Sequence, residues 1–405
     1  MGVLGGGLQG CCCALALAER GADVTLFDRN ERLLSRTAVA NEGKIHLGYM
    51  YANDRSYATA RMMMQGALAF GPFFERMLGE AHRRLSLSRP ASYVVHRDSQ
   101  RSVEEVSHYL RAVHAALGER ASERDCAYFG GDLRAPLREW PRAEREAAFD
   151  PAIALAVFDT PEVAINPAVL TEALRKRVLA DPRIEVRLRQ HVGAVENTEC
   201  PVVRLTGPEG NAQERFAHVV NAWWDGRLAV DETLGLRPRR RWMHRLKYGV
   251  SFRLPAGAER PPSATFVSGP FGEVVSYGDG LTYLTWYPVC LRARSAAVSP
   301  PEWPTYPEEP LRSTLLRDTL RAMAAFVTSL PDIETDDLTD VSVKGGVIVA
   351  WGETDIDDPA SELHRRYEIG VTSRSRYHTV DPGKLTMAPY FAEICAERIA
   401  SAALT

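Results

Sequence analysis

Lys44 and His46 stand two residues apart in the stretch Asn41-Glu42-Gly43-Lys44-Ile45-His46-Leu47-Gly48-Tyr49. On an extended segment, residues two apart share a face, so their ammonium and imidazole would look into the same space. An imidazole titrates near neutrality and suits removal of an O–H or N–H proton. A neighbouring lysine could hold an ordered water or favour charge developing on a reduced oxygen. The blander readings are a histidine hydrogen-bonded to backbone and a solvated surface lysine. Other chemistries find no footing. The ten histidines show no metal-ligand spacing, and there is no HExxH, GxSxG or CxxC, so metal-dependent and serine-hydrolase sites are not expected.

The second chemical signal lies at the N-terminus. Val3-Leu4 ends a short apolar strand, and Gly5, Gly7 and Gly10 supply a GxGxxG loop. Cys11 to Arg20 then reads as a helix of small and apolar residues, Gly21 ends it, and Asp23 to Phe27 reads as a strand closed by Asp28. In that order the glycines permit a tight turn, close approach to a pyrophosphate and close helix–sheet packing. Asp28, with Arg29 beside it, is placed to meet a ribose, and an acid there disfavours a 2′-phosphate. A dinucleotide site follows, and the loop alone serves either NAD or FAD. The first strand is short, unless the true start lies upstream.

From Asn41 onward the sequence resembles the D-amino-acid oxidase (DAO) superfamily of FAD-dependent oxidoreductases, with glycine and sarcosine oxidases, glycerol-3-phosphate dehydrogenase and L-2-hydroxyglutarate dehydrogenase among its members. Asn41, Gly43, Ile45-His46, Gly48 and Tyr51 are locally most similar to the last of these, and Gly383-Lys384-Leu385-Thr386 to the "GGKLTT" loop of glycerol-3-phosphate dehydrogenases. The resemblance implies FAD. It implies flavin contacts from Asn41, Gly43, Gly383, Lys384, Leu385 and Thr386, and an adenine contact near Val192. It implies that His46 is the base or orienter (or, in a third reading, a covalent anchor) and that an arginine fixes a substrate carboxylate. Arg376 is the first choice, being nearest the flavin loop in sequence. Val219-Val220-Asn221-Ala222 resembles the family's strand end, except that Trp223 and Trp224 stand where small residues are usual.

The elements that must position these residues are a Rossmann-like α/β domain interleaved with a mixed or antiparallel β-sheet substrate domain. Residues 1–78, 155–238 and 338–405 are assigned to the FAD-binding part, and residues 79–154 and 239–337 to the substrate part. Strands of period two between Trp242 and Tyr287, with turns at Gly269-Pro270 and Asp279-Gly280, form the substrate sheet. Its Tyr248, Tyr277, Tyr283, Trp286 and Tyr287 are candidates for the substrate wall, and Arg245, Lys247 and Arg253 for an anion site. Helices are expected over Asp54–Leu78, Ser102–Leu117, Ala168–Ala180, Leu311–Leu330 and Ala388–Ala402, and 126–151 is expected to be irregular.

The chain has 405 residues, 45% hydrophobic and 25% charged, with a net charge of −3. That composition carries a sizeable core and no nucleic-acid signature. No apolar run is long enough to span a bilayer, no basic n-region marks a signal peptide, and the seven cysteines suggest no disulfide framework. The expectation is a cytoplasmic flavoenzyme that oxidises a CH–OH or CH–NH centre of a small polar molecule (2-hydroxy acid, amino acid, amine or sugar derivative). Oxygen or a quinone would be its electron acceptor. The rivals are an NAD-dependent dehydrogenase and a catalytically inactive flavin-binding subunit.

Overall fold

A computed structural model describes residues 1–402 apart from 125–127, 130, 197–198 and 331–333. Strand Gly2–Leu4 lies at the middle of a six-stranded sheet. Val24–Phe27 and then Ile184–Arg187 pair on one side of it, and Val219–Asn221, Tyr377–Asp381 and Gly370–Arg374 on the other. All neighbours run parallel except the last hairpin. The sheet is covered by helix Leu8–Glu19, whose Cys11, Cys12, Cys13, Ala14 and Ala16 are fully buried. Side chains this small let it lie close to the sheet and to the C-terminal helix Ala388–Ala402, to which Gln9 also donates a hydrogen bond. Helix Pro167–Leu179 starts where Asn166 caps the Ala168 N–H and Pro167 occupies the first turn, a strong start signal.

The second sheet has eight strands and is mostly antiparallel. Its long strand Trp242–Arg253 pairs with Leu281–Trp286, Leu291–Ser295 and Thr339–Trp351. Ser92–His96 runs parallel to Ala264–Val267 and antiparallel to Ala154–Asp159. Strands Ala154–Asp159 and Thr339–Trp351 thus belong to the larger sheet, so the expected divisions at 155 and 338 move. Which sheet claims a strand is decided by register with distant partners, not by local apolar pattern. Helix Leu311–Ala324 packs on this sheet through Leu315, Leu320 and Met323.

Three features depart from the sequence expectation. A separate three-stranded sheet unites His191–Glu196, Val202–Gly207 and Gly210–Arg215. Its outer strand is exposed and polar, so it carries no alternating apolar signal. Helix Arg142–Ala148 sits in the stretch expected to be irregular; it is held by Arg142–Glu146 and Arg138–Glu144 ion pairs rather than by an apolar face. The expected helix at Ser102–Leu117 runs instead from Val103 to Arg124. Residues 126, 127 and 130 of the irregular stretch lie outside the described residues.

His218 and His378 stack in the interior of the parallel sheet, with His218 Nδ1 3.0 Å from His378 Nε2 and Ser373 Oγ 2.9 Å from His378 Nδ1. A neutral His378 that donates from Nε2 and accepts at Nδ1 satisfies this chain; a protonated pair would set N–H against N–H. Burial, and then the neighbouring His218, push His378 down to about 4 from an ordinary value near 6.5. A depressed folded-state value means the unfolded chain binds the extra proton. Stability is therefore complete above about pH 6.5 and is lost as pH falls toward 4. The unfolding free energy from denaturant titration should fall over that window by up to about 3 kcal/mol. His378→Gln should remove that part of the slope, and an unchanged slope in the folded variant would contradict the assignment.

Candidate active site

The loop after the first strand builds one end of a cavity. Gly5 has φ +98°, and a Cβ there would meet the Ala222 carbonyl at 2.5 Å. A Cβ at Gly10 would sit 1.7 Å from the Gly5 carbonyl oxygen, so the helix can approach the loop only as glycine. Gly7 differs: no atom lies within 4 Å of a Cβ built there, and the residue lines the cavity at the helix N-terminus. Asp28, 7% exposed, accepts from the Gly6 N–H at 2.7 Å and from both nitrogens of Asn30 at 2.7 Å. Burial raises its carboxyl above the usual range, against those hydrogen bonds. Arg29 and Arg36 share Asp225 at 2.8 and 3.4 Å, and all three line the cavity.

Residues 41–48 form the next wall. Asn41 turns the chain by accepting from Gly43 N–H and donating to the Thr37 and Ala38 carbonyls, and Gly43 backs directly onto Ile165. Lys44 and His46 are 2% and 1% exposed and both line the cavity, as period two requires. Lys44 Nζ contacts Thr265 and lies 3.2 Å from Glu273. Its neighbour Glu42 lies 3.6 Å from Lys247, whose ammonium also sits over the Tyr287 ring. Burial works against the Glu42 charge, yet Lys247, Lys384 and His46 hold its carboxyl well below the usual range. His46 Nδ1 is 3.3 Å from Glu162, and neither ring nitrogen has a hydrogen-bond partner among the described residues.

The C-terminal loop closes the site. Gly383, Lys384 and Leu385 line the cavity, while Thr386 stands behind them, accepting from His46 N–H at 2.9 Å and donating to the Lys44 carbonyl at 3.3 Å. Burial, only partly opposed by Glu42, pushes the Lys384 ammonium down to about 8. Its one side-chain partner among the described residues is Met50 Sδ, at 3.9 Å. Arg366, 7% exposed, donates to the Leu363 and Gly383 carbonyls and has no carboxylate within 4 Å among the described residues. The Tyr51 hydroxyl, in the same wall, is buried with no partner among those residues.

These walls surround one cavity, lined by Gly5, Gly7 and Asp28 and also by Tyr287, His364 and Arg366. Gly43 and Thr386 stand behind its lining, and Val192 and Arg376 are not brought to it. Val192 packs in the core between the parallel and three-stranded sheets. Arg376 sits on the turn of the edge hairpin, its guanidinium 3.8 Å from Cys200 Sγ. Of the substrate-wall aromatics, Tyr287 lines the cavity, whereas Tyr248, Tyr277, Tyr283 and Trp286 are buried behind it. Arg245 and Arg253 are taken by Asp355 and Asp340. Trp223 and Trp224, the departure at the strand end, form part of the cavity wall; Trp224 adopts φ +49° and donates to the Val347 carbonyl. Sequence reasoning missed Arg366 and Glu162, which sit in segments without periodicity; the one cue for Glu162 is an acid directly before the apolar run Val163–Ile165.

A parallel sheet with a glycine loop and a ribose-placed acid, joined to an antiparallel sheet by one cavity, defines a dinucleotide-dependent oxidoreductase architecture. The family model described as "FAD dependent oxidoreductase" (DAO) matches residues 2–334, and the chain belongs to that family. Its cofactor is therefore FAD, not NAD. The fold is similar to iminodiacetate oxidase of Chelativorans sp. BNC1 (TM-score 0.69, 13% identity, covering 99% of this chain and 95% of that one). It is equally similar to glycine oxidase of Geobacillus kaustophilus (TM-score 0.69, 14% identity, 99% and 94%). In sequence, 70 residues are 37% identical to the FAD-dependent monooxygenase FPY4 of Fusarium mangiferae, covering 17% of this chain and 18% of that protein. No helix among the described residues is long and apolar enough to cross a membrane.

FAD fits the residues present. The open face at Gly7 leaves room for a pyrophosphate at the positive end of the helix, and Asp28 can still accept ribose hydroxyls. Gly7→Ala should leave the melting temperature of the cofactor-free protein unchanged while weakening FAD binding at least about tenfold in a fluorescence titration. Gly10→Ala should lose the folded protein itself, since its Cβ would overlap a backbone oxygen. Equal effects of the two changes would contradict this division of roles.

Proposed function

We propose that this protein oxidises a CH–NH or CH–OH centre next to a carboxylate, a 2-amino or 2-hydroxy acid or an N-substituted relative. The observation that carries the reading is a set of unused polar groups on the walls of one cavity. These are, among the described residues, the buried Arg366 guanidinium, which meets backbone carbonyls but no carboxylate, the Tyr51 hydroxyl without a hydrogen-bond partner, and Nε2 of His46. Buried polar groups are normally satisfied, so such a set marks the place of a ligand. Arg366 and Tyr51 hold the carboxylate, the role first expected of Arg376. His46 takes the N–H or O–H proton. Bound FAD supplies the hydride acceptor. Tyr287 and Phe271 shape the apolar wall that excludes water. Iminodiacetate and glycine, named for the similar structures, are amines that carry carboxylates, which agrees with this class. Cys11, Cys12, Cys13, Cys290 and Cys395 are free thiols, in keeping with a cytoplasmic setting, with oxygen or a quinone as the final acceptor.

Simple aliphatic carboxylates should perturb the flavin absorption of the FAD-loaded protein. Arg366→Met should weaken that binding about 10- to 100-fold, the range for losing a charge-assisted hydrogen bond, and Tyr51→Phe about two- to tenfold. Lys384 carries its charge below about pH 8 and loses it above, so carboxylate affinity should decline as pH rises through 8 and do so less in Lys384→Met. Unaltered carboxylate affinity in folded, FAD-loaded Arg366→Met would sink the proposal.

A further inference from the structure

Glu162 is a fully buried carboxylate in a position no motif explains. It follows strand Ala154–Asp159 and lies beneath the residue 41–48 segment. One oxygen accepts from the Leu47 N–H at 2.7 Å and the other from the Tyr93 hydroxyl at 2.5 Å. No lysine or arginine lies within 4 Å of it among the described residues, and its one ionisable cationic neighbour at that range is His46, 3.3 Å away at Nδ1. Burial favours the neutral acid, but His46, Lys44 and the Tyr93 hydroxyl hold the Glu162 carboxyl below the usual range. A buried carboxylate is satisfied by an N–H, not a lone pair, on the ring nitrogen that faces it. The 3.3 Å separation is off line for a hydrogen bond here, and such contacts in unfilled sites commonly tighten when the ligand is present.

We infer that Glu162 is a positioning residue for His46: it fixes the Nδ1–H tautomer, leaves Nε2 bare to receive the substrate proton, and stabilises the ring once that proton has arrived. The inference rests on the reading of His46 as the proton acceptor. The step moves one proton, from the substrate N–H or O–H to Nε2, leaving a doubly protonated ring beside the carboxylate. Among the described residues, nothing else near His46 duplicates this. Lys44 is cationic and committed to Glu273 and Thr265, Glu42 is paired with Lys247, and Tyr51 meets the ring edge-on at 6.2 Å. Tyr93 touches Glu162 and not the ring, so it tempers the carboxylate without contacting the base.

The test needs no substrate. Ring nitrogens of ¹⁵N-histidine-labelled, FAD-loaded protein are followed by NMR against pH, with the His46 signal identified by its loss in His46→Gln. The expected result is an Nδ1–H tautomer in the parent protein. The His46 protonation midpoint should fall by a unit or more in Glu162→Gln, a tenfold or greater loss of proton affinity, and recover in Glu162→Asp. Tyr93→Phe frees a lone pair of Glu162 and should move the midpoint the opposite way, which a merely structural role would not do. It also decides the matter should Glu162→Gln fail to fold. An Nε2–H tautomer, or midpoints unmoved in the folded variants, overturns the inference. If the tautomer and the shifts hold but no carboxylate-bearing amine or alcohol reduces the flavin, the proposed function fails and the Glu162–His46 pairing stands.

Discussion

A buried stretch of irregular backbone must have its N–H and C=O groups satisfied from outside itself, and residues 41–48 are such a stretch. Their carbonyls and amides are claimed from every side. Ile45 N–H donates to Val163 and Gly43 O accepts from Ile165. Tyr277 takes the Glu42 carbonyl, Tyr128 the Ile45 carbonyl and Tyr109 the Gly48 carbonyl. Glu162 and Thr386 hold the Leu47 and His46 amides. The partners come from the connection after strand Ala154–Asp159, the large sheet, a flanking helix and the C-terminal loop. One short segment therefore ties the two sheets together, and the two side chains it turns into the cavity, Lys44 and His46, have little freedom to move.

The same constraint explains the charge pattern. Placing Lys44, Glu42 and His46 in a dry interior is costly unless each finds a partner, and each does: Glu273, Lys247 and Glu162. Arg366 and Lys384 stand outside this pairing, at the end of the cavity opposite the phosphate loop. Two cavity-lining cations with no carboxylate within 4 Å among the described residues suit an anionic substrate. Their surroundings also differ. Arg366 is held by backbone carbonyls, whereas burial pushes the Lys384 ammonium down to about 8.

Much of this was legible in the residues, and the legible part has a common cause. Gly5, Gly7, Gly10 and Asp28 announce themselves because strand, turn and helix follow from local spacing. Lys44 and His46 share a face because an extended chain has period two. Gly383 to Leu385 precede a helix whose start is local as well. What was hidden depends on contacts distant in sequence. Arg366 lies in the aperiodic stretch between Gly352 and Gly370, and only the fold brings it to the Gly383 carbonyl, while Arg376, ten residues on and nearer the flavin loop in sequence, is carried away by a hairpin turn. Strands Ala154–Asp159 and Thr339–Trp351 join the larger sheet through partners distant in the chain, which no local pattern shows.

The central claim is that one cavity holds FAD at one end and a carboxylate-bearing amine or alcohol at the other. It is tested most directly by the visible spectrum of the FAD-loaded protein, recorded anaerobically while 2-amino acids, N-substituted glycines and 2-hydroxy acids are added in turn. The account predicts a two-band flavin spectrum that bleaches with at least one of these and not with the matching amine or alcohol lacking the carboxylate. A flavin that bleaches as readily without the carboxylate, or a protein that takes up no FAD, would contradict it.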